Sequence, residues 1–201
     1  MDEANRSEAD LVVLGAHRKQ LLGDIFTGTT IERVMRLGGR PVLMVNRDSG
    51  KPYGNVLAAV DLSDASAHAL RTAHSLGLLD PTSAAAVHGF LPVGESTLYY
   101  AGVEQKQIDE HVAVTAAEAR AAIGRFLKDN GFDQMTNVLL VEKGSPFEAI
   151  ENSVNKLQAD LLVIGTRGHS GLKRALLGSV ADQALRQIGC DILAVPPERS
   201  S

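Results

Sequence analysis

The chain lacks tryptophan altogether, has a single cysteine, and is only 4% aromatic. One thiol, Cys190, cannot close an internal disulfide, which fits a reducing compartment. Its place just before the apolar run Ile192 to Val195 reads as a small buried hydrophobe. No apolar stretch is long enough to span a bilayer, and the polar, acidic start from Met1 to Asp10 lacks the basic-then-apolar order of a secretory leader, so the expected location is the cytoplasm. Nor is there an excess of positive charge. With 20 Lys and Arg against 24 Asp and Glu, the net charge is -4, which argues against a protein built to neutralise nucleic-acid phosphates. The histidines (His17, His68, His74, His88, His111 and His169) are scattered without metal-ligand spacing, so no structural metal is expected.

What is present is an ordinary globular composition, 44% hydrophobic and 22% charged over 201 residues, enough for one full core and something smaller. Apolar, β-branched runs recur at Leu11 to Leu14, Val42 to Val45, Val56 to Val60, Ala84 to Phe90, Val138 to Val141, Leu161 to Ile164 and Ile192 to Val195. Helical patterns lie between most of them. Continuous apolar strands alternating with amphipathic helices predict a parallel sheet covered on both faces, hence an α/β fold. Ser145-Pro146-Phe147-Glu148 carries a capping serine, a proline at the first helical position and a glutamate that reaches back, and predicts a helix to about Gln158. A second helix is predicted from Ser63 or Asp64 and a long one over Gln105 to Asn130, ending before Gly131, whereas Pro92 to Gly102 reads as a mobile loop.

The chain also repeats itself. Ala9 to Val45 aligns without a gap onto Ala159 to Val195, with Gly15 matching Gly165, Gly28 matching Gly178, Arg36 matching Arg186 and Val45 matching Val195. Three further strands precede the second copy but only a short polar stretch precedes the first, so the first reads as half of a unit. The linker Asn46 to Gly54 has no apolar period, and two regions follow: 1–50, a partial unit, and 51–201, a complete one.

After the strand Leu161 to Ile164 come Gly165-Thr166-Arg167-Gly168, then nine residues, then Gly178-Ser179 opening a helix in which Asp182 is placed to complete a capping box with Ser179. A strand, a glycine loop and a helix N-terminus suit a polyphosphate: glycines admit backbone amides to the anion, and the helix end offers unpaired N–H groups at the favourable end of its dipole. Arg167, Lys173 and Arg174 add positive charge, although paired basic residues are as often a solvated face. There is no G-x4-G-K-[ST] and no compact G-x-G-x-x-G, which removes support for a P-loop ATPase or a dinucleotide-dependent oxidoreductase.

Gly165, Gly168, Gly178 and Ser179 form a G-x2-G-x9-G-[ST] motif that resembles the ATP-binding motif of the universal stress protein family. Val56 to Asp61 followed by Ser63 resembles that family's first strand and its acidic residue, Val87-His88-Gly89 the end of its second strand, and Lys143 to Pro146 the turn after its third. The resemblance covers Tyr53 to Pro197 as a whole unit and Ala9 to Val45 as the terminal half of another.

It implies an open, parallel five-stranded sheet of the adenine nucleotide alpha hydrolase-like type in the order 3-2-1-4-5, and a site for ATP with Mg2+ formed by Asp61, Gly89, Gly165, Arg167, Gly168, Gly178, Ser179 and Val180. It also implies a homodimer through the last strands, or an intrachain imitation in which Val42 to Val45 pairs with Ile192 to Val195. In the first copy Arg18 stands where the second glycine belongs, though Gly28, Thr29 and Glu32 survive, and no ATP is expected there. No catalytic constellation stands out. A slow ATPase and a nucleotide-independent interaction module are the alternatives to a regulatory ATP-binding protein.

Overall fold

The computed structural model describes residues 9–15, 34, 39–47, 50–167 and 177–198. Among the described residues seven strands form one continuous sheet: β1 (Val12–Gly15), β2 (Val42–Val45), β3 (Val56–Ala59), β4 (Ala85–Phe90), β5 (Leu139–Lys143), β6 (Leu161–Gly165) and β7 (Asp191–Val195). Their order is β1-β2-β7-β6-β3-β4-β5. Strands β3 to β7 are mutually parallel and realise the 3-2-1-4-5 order, while β2 joins β7 antiparallel through Val42↔Ala194, Leu43↔Leu193 and Met44↔Ile192. The sheet is thus two strands wider than the five implied for one unit, and the added pair is joined by the intrachain strand contact that the resemblance implies.

The β1–β2 register, Val12↔Val42 to Gly15↔Val45, is the β6–β7 register, Leu162↔Ile192 to Gly165↔Val195, displaced by 150 residues.

Alternate side chains of the central strands enter two cores, as a sheet buried on both faces requires. Leu57, Leu162, Ile164, Ile192 and Ala194 face one core. Its helices are α4 (Pro146–Leu157), through Phe147, Ile150 and Val154, and α5 (Ser179–Gln187), through Ala181, Ala184 and Leu185. Ala58, Leu161, Val163, Leu193 and Val195 face the other. There α1 (Asp64–Ser75) contributes Ala69, Leu70 and Ala73, and α3 (Gln105–Asp129) contributes Ile123 and Leu127.

Local sequence explains the helix ends. Ser63 caps α1 by accepting from the Ser66 amide at 3.2 Å. At α4 the predicted box forms: Ser145 Oγ accepts from the Glu148 amide at 3.3 Å and the Ser145 amide donates to Glu148 Oε2 at 2.8 Å. Those bonds favour the ionised carboxyl and hold Glu148 below its ordinary range. Two local expectations are corrected. Within Pro92 to Gly102 lies a short helix, α2 (Glu95–Tyr100), opened by Gly94 at φ 84° and tied to β5 by an ion pair from Glu95 to Lys143. At α5 the cap is Gly178, not Ser179, and Asp182 bonds Arg186 one turn on, at 3.0 Å, instead of closing a box.

Candidate functional site

Chain order decides where a site can form. From β3 the chain moves outward through β4 to β5, then returns to the other side of β3 to lay down β6, so neighbouring connections part at the C-terminal ends of β3 and β6. Ligands of open α/β sheets bind at that switch point. A cavity of about 410 Å³ lies there.

Strand β3 delivers Ala59, Val60 and Asp61 to the cavity, and β4 delivers Val87, His88 and Gly89. From β6 come Ile164 to Arg167, and from the start of α5 come Gly178 to Ala181. Asp61, Gly89, Gly165, Arg167, Gly178, Ser179 and Val180, 28 to 119 residues apart from the first to the others, are therefore brought around one space. Gly168, with Lys173 and Arg174, lies outside the described residues, as do Arg18, Gly28, Thr29 and Glu32 of the first copy.

Asp61 is half-buried and locally organised. Its Oδ1 accepts from the Ser63 amide at 3.1 Å and from the Ser63 hydroxyl. Leu62, next in the chain, is a non-glycine residue at φ 64°, a conformation that stores strain beside the carboxylate. His88 places Nδ1 2.8 Å from the Val60 carbonyl; since a carbonyl only accepts, Nδ1 donates that bond. His88 is thus a satisfied histidine at the cavity rim.

The three glycines have different reasons to be there. A Cβ on Gly89 would stand 2.9 Å from Pro146 Cα, and one on Gly165 would stand 3.0 Å from the Ala65 carbonyl oxygen, so both permit close packing of α4 and α1 on the sheet. Gly178 has an ordinary backbone, φ -72°, and donates to the Thr166 carbonyl at 2.6 Å, holding the start of α5 against the end of β6. Gly178, the N-cap, has no side chain to offer the first-turn amides of α5, and a helix N-terminus favours an anion.

Thr166 was not singled out in the sequence. It is fully buried, and among the described residues its Oγ1 has no hydrogen-bond partner. A hydroxyl in a glycine loop reads as solvated; only the fold shows that it is enclosed at the cavity wall.

The lining of the cavity therefore combines apolar side chains (Val60, Val87, Ile150, Ile164) with the polar residues Asp61, Thr166 and Arg167 and the start of α5. No group of three His, Cys, Asp or Glu side chains among the described residues could hold a metal ion. No helix among them is long and apolar enough to cross a membrane.

A mostly parallel sheet covered by helices on both faces, with a cavity at its switch point, defines an open α/β fold. The family model for the universal stress protein family matches residues 1–46 and 52–196, and the chain belongs to that family. It is 30% identical over 196 residues to universal stress protein E of Salmonella typhi, an alignment covering 94% of this chain and 61% of that protein. The chain thus spans about 61% of the length of that relative. It is also 30% identical over 151 residues to universal stress protein Sll1388 of Synechocystis sp., covering 71% of this chain and 97% of that one. The crystal structure of a universal stress protein from Archaeoglobus fulgidus shares the fold, with a TM-score of 0.60 at 19% identity over 98% of this chain and 66% of that chain.

Proposed function

We propose that the cavity at the β3/β6 switch point binds an adenine nucleotide, ATP with Mg2+, and that the protein is a cytoplasmic stress-response factor regulated by occupancy of that site through its conformation or assembly. The observation that carries this reading is the convergence of a helix N-terminus whose N-cap residue, Gly178, has no side chain, a half-buried carboxylate and apolar side chains on one cavity at the switch point. Among the described residues the buried Thr166 hydroxyl has no partner, and such a group costs free energy until a bond is supplied.

The residues present fit such a ligand. The apolar side near Val87 and Ile150 suits the flat face of a base, with Gly89 beside it, and Asp61 offers an acceptor for sugar hydroxyls. The first-turn amides of α5, the Ser179 hydroxyl and Arg167 suit phosphate oxygens, with Val180 continuing that turn. Mg2+ would supply charge neutralisation to the phosphates. By position, Gly168 belongs to the same loop.

The test is calorimetric titration of nucleotide-stripped protein with ATP and Mg2+, beside Gly178→Val and with released phosphate assayed on the same samples. Binding near one per chain in the wild type alone supports the site, and phosphate release separates an enzyme from a sensor. A wild-type protein that takes up no nucleotide overturns the reading.

A further inference from the structure

The two strands that meet antiparallel, β2 and β7, are copies of one another in the repeat, so a second β7 could occupy the place of β2 in the same register. What distinguishes the two candidates is the residue at each strand end. Where the first copy has Pro41 the second has Asp191, and where the first has Asn46-Arg47 the second has Pro196-Pro197.

Asp191 is 2% exposed. Its Oδ1 accepts from the amides of Asn46 at 2.8 Å and Arg47 at 3.1 Å, both just beyond β2, and Asn46 Nδ2 donates to the Cys190 carbonyl at 2.6 Å. Tyr53 serves only the other oxygen, Oδ2. A second β7 would present Pro196 and Pro197 at this place, and proline has no N–H to give. Both copies of Oδ1 would then be buried without a strand donor. Two β2 strands fail in the reverse sense, since the Asn46 and Arg47 amides would meet Pro41 and find no carboxylate. In the mixed pair the polar ends match, and at the far end Pro41, next to Val42 opposite Ala194, brings no N–H that needs a partner.

We infer that Asp191, with Pro196 and Pro197, is a specificity device that commits the edge of β7 to β2 and bars it from a second copy of β7. The geometry rests on backbone donors rather than on apolar complementarity, because the strand faces themselves are alike: Val42-Leu43-Met44 against Ile192-Leu193-Ala194. It is independent of the cavity.

The test uses the full chain with a protease site inserted between the exposed Gly50 and Lys51, cut after folding, so that both pieces are present in equal amounts. Native mass spectrometry and light scattering over a concentration series then report the partner of the larger piece. In the wild type it pairs with the smaller piece and not with itself. Asp191→Ala removes the carboxylate that the self-pair cannot satisfy, and the ratio of mixed to self-paired species falls by about tenfold or more. Pro196→Ala combined with Pro197→Ala keeps the carboxylate, restores N–H donors to β7 and also makes the self-pair appear. Should Asp191→Ala fail to fold, the proline pair carries the test. Self-pairing of the wild-type larger piece as readily as mixed pairing, or no rise in self-pairing in the folded variants, overturns the inference.

Discussion

The Tyr53 phenol donates to Asp191 Oδ2 at 2.8 Å, across 138 residues of sequence. It does so from a linker that passes the starts of β7 and β6, where Asp160 takes the Gly54 and Asn55 amides at 2.8 and 3.0 Å. Two carboxylates at the strand starts thus fix the path of a segment with no apolar residues of its own to bury besides the tyrosine.

Tyr53→Phe leaves one oxygen of a buried carboxylate without its donor and is expected to cost about 1–3 kcal/mol in urea unfolding. Burial, and then the bond to Asp191, raise the phenol above its ordinary 10.0. Its folded value therefore exceeds its unfolded one. The stability it contributes is complete below about pH 10 and is lost as pH rises beyond that. Urea midpoints measured at about pH 8 and 11 should separate more in the wild type than in Tyr53→Phe; an equal alkaline loss in both would remove the phenol from the account.

Glycine substitutions should divide the fold from the site. Gly165→Ala forces a Cβ to 3.0 Å from the Ala65 carbonyl, backbone against backbone, and should lower stability by about 1–3 kcal/mol. At Gly178 the nearest atom, the Thr166 carbonyl oxygen, stands at 3.3 Å and the backbone angles are ordinary. Gly178→Val should keep the melting temperature close to wild type while weakening ATP by about tenfold or more. Thermal melts beside calorimetry check both, and an unfolded Gly178→Val would count against the distinction.

Thr166→Val replaces a buried hydroxyl, without a partner among the described residues, by a methyl of the same shape. Without nucleotide the variant should be at least as stable as the wild type, and it should bind ATP about tenfold more weakly. A variant that loses stability and keeps its affinity would show that the hydroxyl bonds to protein and not to ligand.

Cys190 is 5% exposed, and burial pushes its thiol up to about 11. A thiol reagent at about pH 8 should leave the native protein unmodified and label it fully in urea. Rapid labelling of the native protein would contradict its place in the core.

Much of this was legible in the residues because the signals were periodic or repeated. All seven strands coincide with the apolar runs to within about two residues, and α3 ends where Gly131 predicts. Gly165 and Gly178, which line the cavity, were legible because their spacing follows a strand. What was not legible depends on contacts distant in sequence. Asp191 reads as a stray acid at a strand start; its role appears only when β2 brings the Asn46 and Arg47 amides to it. Helix α2 escaped because Glu95 to Tyr100 buries nothing and has no side-chain cap, so neither periodicity nor capping marks it.

The outermost strand has one further consequence, and it is colloidal rather than thermodynamic. In β1, Val12 and Leu14 pack on the core while Val13, on the opposite face, is 57% exposed, at the rim of the sheet. An apolar side chain on a rim strand offers a template to other chains in concentrated solution. Val13→Lys touches no core contact, so it should raise the concentration at which the protein precipitates while leaving its melting temperature where it was.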